Sequence, residues 1–256
     1  MSTDNSHLTL PFNPIDWQGK PHDYTGNDLL GLHTAETTQR YTIGTRHITW
    51  DGRVYKYCLA YALARSYYGA CTTATHAYAG EALVSSVAVG DKFVTVTETG
   101  FTENELRGGF ICVYGASDNA MNRMIVGNDA SATTTTKIFI DGPITTAGDT
   151  LYHEVFQNPY KYISSVALNY ACCVCVPAVN IVAGSYGWGQ TWGPCVVTPA
   201  EDVGTRAVGQ DNMVFDDSNG VRKTNAAADT YRQKAGFLLN QGITTYGPLI
   251  MLQISV

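Results

Sequence analysis

A chain of 256 residues with 45% hydrophobic side chains is long enough to bury a sizeable core and too apolar to be disordered throughout. Charged residues make up only 15%, against about 25% in a typical soluble domain, and the net charge is −6. The 16 Lys and Arg are dispersed, Arg222-Lys223 being the one adjacent pair, which argues against the clustered cations that tight nucleic-acid binding needs, and no apolar run approaches the ~20 residues of a membrane span. The low charge fits extensive burial of surface between subunits, and it equally fits a β-rich protein with a Thr and Ser surface. Met1-Ser2-Thr3-Asp4-Asn5 lacks the basic and apolar regions of a signal peptide, so synthesis in a reducing cytoplasm is expected.

Residues 1–40 read as an extended arm. Pro11, Pro14 and Pro21 prevent a regular strand, while Phe12 and Trp17 supply apolar anchors. Such an arm becomes ordered against another molecule or packs on its own domain. From Tyr41 the pattern turns to strands. Arg46 to Trp50 and Arg53 to Tyr57 flank Asp51-Gly52, a strong local hairpin signal, with Tyr55 and Tyr57 on one face. Leu59 to Ala70 reads as extended. Strands are expected over Ala82 to Val89, Phe93 to Thr97, Phe110 to Tyr114 and Met124 to Val126. Lys137 to Ile140 and Thr150 to Phe156 follow, and the Thr133 to Thr136 run reads as an exposed strand edge.

Ala171 to Val176 is nearly all apolar, as a strand buried on both faces would be. In Ala183-Gly184-Ser185-Tyr186-Gly187-Trp188-Gly189-Gln190-Thr191-Trp192-Gly193-Pro194-Cys195 glycines alternate with large aromatics. This pattern suits a strand closely approached by other backbone, with Tyr186, Trp188 and, after a phase slip, Trp192 projecting from it. A second hairpin is expected around Asn219-Gly220, and Ala235 to Leu239 and Leu249 to Ile254 are the last strands. The fold class is mainly β, sandwich or barrel domains with hairpins and little helix. The expected organisation is an arm over 1–40, a β-rich domain over 41–160 and a C-terminal barrel or sandwich over 161–256, which can also form one unit.

Nothing in the chain has the spacing of a catalytic or metal motif. His153-Glu154 begins like a zinc-protease helix, but the second imidazole would fall at Gln157. Cys172-Cys173-Val174-Cys175 has no partner pair elsewhere, so buried thiols are favoured over a metal or a late disulfide. The carboxylate pairs Glu201-Asp202 and Asp216-Asp217 flank turns. No catalytic residue, cofactor or metal is expected.

The Gly-Trp segment resembles a motif common in virion structural proteins of tailed bacteriophages, roughly aromatic-Gly-Trp-x-Gln-Thr-x-Gly-Pro. Further pieces match in the same order: Gly44-Thr45-Arg46, Asp51-Gly52-Arg53-Val54-Tyr55-Lys56-Tyr57, Ala88-Val89-Gly90-Asp91, Val94-Thr95-Val96-Thr97, Gly108-Gly109-Phe110-Ile111-Cys112-Val113 and Gln157-Asn158-Pro159-Tyr160. The similarity covers roughly Thr45 to Cys195. It implies a capsid decoration or head-associated protein on the outside of the virion, binding the major capsid protein and itself as a homotrimer. The acidic balance suits an outer surface better than the lining of a DNA-filled shell. Phe12, Trp17, Tyr186, Trp188 and Trp192 are the expected interface residues, without nucleic acid or membrane as partner. The alternatives are a carbohydrate-binding or depolymerising fibre domain and a tail or neck protein. Burial of Trp188 and Trp192 is the feature that separates structural from sugar-stacking roles.

Overall fold

A computed structural model describes residues 31–49, 51–72, 76–115, 121–132, 134–145, 151–165, 172–201, 203, 212–224, 232–241 and 247–255. Among them the chain is all β. The strands of the first half are β1 (Arg46–Ile48), β2 (Val54–Ala60), β3 (Ala70–Thr72), β4 (His76–Ala82), β5 (Phe93–Val96), β6 (Phe110–Tyr114), β7 (Met121–Asn128) and β8 (Thr136–Ile140). Those of the second half are β9 (Tyr152–Phe156), β10 (Lys161–Ser164), β11 (Cys173–Pro177), β12 (Tyr186–Val196), β13 (Asn212–Phe215), β14 (Val221–Lys223), β15 (Lys234–Asn240) and β16 (Leu249–Gln253).

The chain divides into two compact units, and they are nested in sequence. Unit 1 comprises Met1–Thr73 and Pro159–Val256, and unit 2 comprises Ala74–Asn158. The sequence reading runs in series, 41–160 and then 161–256, with a break near Asn158-Pro159-Tyr160. That break is where the chain re-enters unit 1. The exit at Thr73 has no composition signal, because it falls between two strands and not in a linker.

In unit 1, strands pair in the order β1-β2-β10-β3-β11-β12-β16-β15-β13-β14, and β2 also pairs with β12. The extra pairing closes β2, β10, β3, β11 and β12 into a small barrel. One link is parallel, β10 with β2, and the others around the ring are antiparallel. β12 is long enough to serve twice. Its first half, Tyr186 to Gln190, faces β2, and Trp192 to Val196 pairs with β16. The register slips between Gln190 and Trp192, so the phase slip expected there is a β-bulge, which bends the strand from one sheet into the next. Beyond the bulge, β16, β15, β13 and β14 curl into a half-barrel, and a bridge from Val221 to Pro199 meets the chain leaving β12.

Unit 2 is a six-stranded sheet in the order β4-β9-β6-β7-β8-β5. A bridge between Leu83 and Val96 joins its ends and makes a barrel. The interior is filled by Ile and Val on alternating positions, including Ile111, Val113, Ile125, Ile138, Ile140 and Val155.

Local chemistry explains most of these elements. Gly52, at φ +84, turns β1 into β2, and Asn219, at φ +64, turns β13 into β14. Three expectations are corrected. Leu59 to Ala70 is not continuous strand: β2 stops at Ala60, and the chain loops through Tyr67, at φ +66, before β3. Ala82 to Val89 is not continuous strand: it holds the end of β4 and isolated bridges at Leu83 and Val87. In the Thr run, Thr134 is exposed and Thr133 lies outside the described residues, but Thr136 begins β8, between β7 and β5, and is 1% exposed, its hydroxyl donating to the Glu98 carbonyl.

Candidate interaction surface

The Gly-Trp strand organises unit 1 from both of its faces. Gly187 and Gly189 point into the small barrel. A Cβ on Gly187 would lie 2.8 Å from the Ile181 side chain, and one on Gly189 would overlap the Cys175 sulfur. Gly187 and Gly189 therefore make room for side chains of the barrel interior, whereas the close backbone approach read from the sequence is met at Gly193, where a Cβ would lie 3.1 Å from the Arg53 Cα. The interior is lined by small groups, among them Cys58, Ala60, Ala64, Ala70 and Cys175, with Ile163 and Ile181.

The large rings stand on the outside of the barrel. Trp188 is 1% exposed. Its ring lies 5.2 Å from Tyr57, 5.4 Å from Tyr41 and 5.9 Å from His47, edge-on or tilted. Tyr186 stacks on Tyr57 at 5.9 Å and 9°. The cover over these rings comes from the segment that leads into β1. Leu32 is buried in the same cluster, and the Glu36 backbone exchanges two hydrogen bonds with Tyr186. The Arg40 amide donates to the Tyr57 hydroxyl at 3.1 Å. Burial pushes the Tyr57 phenol up to about 12, which keeps it neutral. Residues 31–40 of the expected arm are thus a strap on their own unit. Phe12 and Trp17 lie outside the described residues.

Of the expected interface residues, the structure brings Tyr186 and Trp188 into one cluster. Trp192, past the bulge, is half-buried opposite Val54 and Gln253. Beside the bulge is an open hollow of about 320 Å³ whose walls include His33, Arg53, Tyr55, Tyr67, Gln190 and Pro194. The Gln190 amide donates to the carbonyls of Trp192 and Pro194 and so fixes one wall.

Tyr67, 54% exposed, lines this hollow, and other exposed apolar groups cluster at a second place. At one end of the small barrel Tyr61 is 66% exposed, Val182 56% and Leu63 38%. They sit close together. The Tyr61 ring is 6.2 Å from Tyr162, the Tyr61 amide donates to Ile163, and the Ser165 amide donates to Leu63. A bridge between Ala64 and Ile181 ties the loop bearing Leu63 to the loop bearing Val182. This rim is apolar, rigidly held and open to solvent, which fits a contact surface. The sequence alone does not mark it, because Leu59, Tyr61 and Leu63 alternate like a strand. The Asn180 side chain, which accepts from Ser66, gives no local signal of the loop it supports.

Unit 2 carries its own outward apolar positions. Phe93, Phe110 and Phe156 are each about two-fifths exposed. Phe110 is in register with both Phe156 and Met124, and the Lys137 ammonium lies 3.9 Å above the Phe93 ring. Among the described residues no group of three or more His, Cys, Asp or Glu side chains is arranged to hold a metal ion. No helix among them is long and apolar enough to cross a membrane. No family model, curated protein or solved structure matches this chain.

Proposed function

We propose that this protein is a non-enzymatic virion structural protein that binds the outer surface of a phage capsid, as a decoration or cement protein. The observation that carries the reading is the division of its large apolar side chains. Trp188 is enclosed in the cluster with Leu32, Tyr55 and Tyr57, while Tyr61, Leu63 and Val182 are presented on a hydrogen-bonded rim. A ring at 1% exposure offers no face for stacking on a sugar, so the segment that resembles phage head proteins serves the fold and the rim serves binding. The low charge of 15% leaves surface that is cheap to desolvate, and the partner proposed is the major capsid protein, with self-association as a homotrimer.

A second reading rests on the hollow beside the bulge. Tyr55, Tyr67, Arg53 and Gln190 combine ring faces with hydrogen-bonding groups, as a carbohydrate site does. Density for the virion at near-atomic resolution, together with a glycan-binding screen of the purified protein, tests both. The capsid reading expects ordered copies on the head exterior and no glycan retained. Copies found only on a tail fibre, with a glycan bound through Tyr55 or Tyr67, would replace it by the second reading.

A further inference from the structure

Cys71 and Cys173 are directly opposed in the antiparallel pairing of β3 and β11, and their sulfurs are 3.3 Å apart. Directly opposed residues of antiparallel strands have Cα atoms roughly 4.5–5.5 Å apart, within the range a disulfide spans without backbone movement. Both thiols are buried, at 2% and 4% exposure. Chain connectivity gives the pair a particular place. β3 is the last strand before the chain leaves unit 1 for residues 74–158, and β11 follows its return. The two cysteines are 102 residues apart in sequence, and the whole of unit 2 lies between them.

A third side chain completes the site. Asn219, 3% exposed at the tip of the β13–β14 hairpin, places its Oδ1 3.3 Å from the Cys71 sulfur, while its buried Nδ2 has no hydrogen-bond partner among the described residues. Oxygen and nitrogen of an amide exchange places on a half-turn, so Asn219 accepts from Cys71 as a thiol and donates to it as a thiolate. The hydrogen bond from Cys173 holds the Cys71 thiol below its ordinary value against the opposing effect of burial, and the same contact raises Cys173. Asn219 reaches Cys71, and this makes the pair asymmetric: the Asn219 amide can stabilise Cys71 as it ionises, with Cys173 beside it to resolve.

We propose that Cys71 and Cys173 are a latent oxidation site, which peroxide converts into a disulfide clamping unit 1 at the point where the chain departs for unit 2. In the first step the Cys71 thiolate attacks one oxygen of hydrogen peroxide. The O–O bond breaks, the leaving hydroxide takes up the proton that Cys71 gave, and Cys71 becomes a sulfenic acid. In the second step the Cys173 sulfur attacks the Cys71 sulfur. The S–O bond breaks, the hydroxyl leaves as water with the Cys173 proton, and the S–S bond forms. Two thiols and one peroxide give one disulfide and two waters. On the proposed virion role, a particle released from a reducing cytoplasm meets such oxidants outside the cell, and the link then ties β3 covalently to β11 across the insertion of unit 2.

The test is peroxide treatment of the purified protein, then alkylation and fragment-resolved mass spectrometry without reductant, with a melting curve in parallel. A Cys71–Cys173 link that dithiothreitol reverses is expected. Closing a loop of this length should raise the melting temperature by roughly 5–15 °C. Cys71→Ser perturbs the core by itself, so the discriminating variant is Cys172→Ser, which removes the neighbouring exposed thiol and is expected to keep both the link and the shift. The proposal is overturned if Cys71 and Cys173 stay alkylatable while Cys172 oxidises, if Cys173 links to any other cysteine, or if Cys172→Ser abolishes the link.

Discussion

The two barrels solve one packing problem in opposite ways. The five-stranded ring of unit 1 is too narrow for large side chains, so its interior is lined by Ala, Cys and Gly, with Ile163 and Ile181. Its aromatics are displaced to the outer face and need a cover, supplied by Leu32 and the strap that follows it. The six-stranded ring of unit 2 is wider and accepts whole layers of Ile and Val. Its outer phenylalanines are left partly open. The five-stranded ring thus has small groups inside and enclosed aromatics outside, and the six-stranded ring has Ile and Val inside.

Substitutions at matched positions break or sharpen that contrast. The largest effect is expected at Trp188. Trp188→Ala removes an enclosed ring from the outer cluster and should cost about 3–5 kcal/mol, a large share of the ~5–15 kcal/mol that holds a domain together. Thermal melting measures it, and an unchanged melting temperature would mean that the outer cluster is not what stabilises unit 1. Gly189→Val tests the narrow interior, because its side chain would collide with the Cys175 and Cys58 sulfurs. A loss of about 1–3 kcal/mol in denaturant titration is expected, and full tolerance would show that the small barrel has room to spare.

Smaller effects belong to unit 2. Ile125→Val, inside the wider barrel, should cost about 0.5–1.5 kcal/mol by denaturant titration. A loss as large as that of Trp188→Ala would erase the contrast. A pH effect separates the units as well. His153 is buried in unit 2 with Nε2 3.6 Å from the Glu98 carboxylate. Burial holds its imidazole below the ordinary 6.5, partly offset by the Glu81 backbone and charge. A base with a depressed folded value contributes stability that is present above its unfolded value and lost as pH falls through the folded one. Burial, and then Glu81, raises the Glu98 carboxyl above its ordinary 4.5. Its contribution has the opposite sign, present below 4.5 and lost as pH rises through the folded value. Unit 2 should therefore lose protection in hydrogen exchange as pH falls below about 6.5, and His153→Gln should flatten that limb. A limb unchanged by His153→Gln would place the titration elsewhere.

Much of this fold can be read locally. Asp51-Gly52 and Asn219-Gly220 declare their hairpins because the turn geometry demands residues that accept positive φ. The alternation in Phe110 to Tyr114 and Lys137 to Ile140 marks strands with one buried face. What is not legible depends on partners far along the chain. β3 and β10 are three and four residues long and carry no pattern of their own. They become strands because β2 and β11 flank them in the ring. The nesting of unit 2 within unit 1 is set by the same distant pairings. At the interaction surface, the aromatics around Trp188 stand out in the sequence and turn out to be enclosed. Tyr61 and Val182 stand out in neither composition nor spacing, and only the closure of the barrel brings their loops together.

The most direct measurement of the proposed role is co-sedimentation of the protein with phage heads lacking it, for wild type and for the double variant Tyr61→Ser, Val182→Ser. Both side chains are exposed, so the melting temperature should stay within about 2 °C of wild type. Loss of two apolar anchors at a contact should weaken capsid binding by roughly tenfold or more. Undiminished binding by a double variant that melts like wild type would contradict the assignment of this rim as the capsid contact.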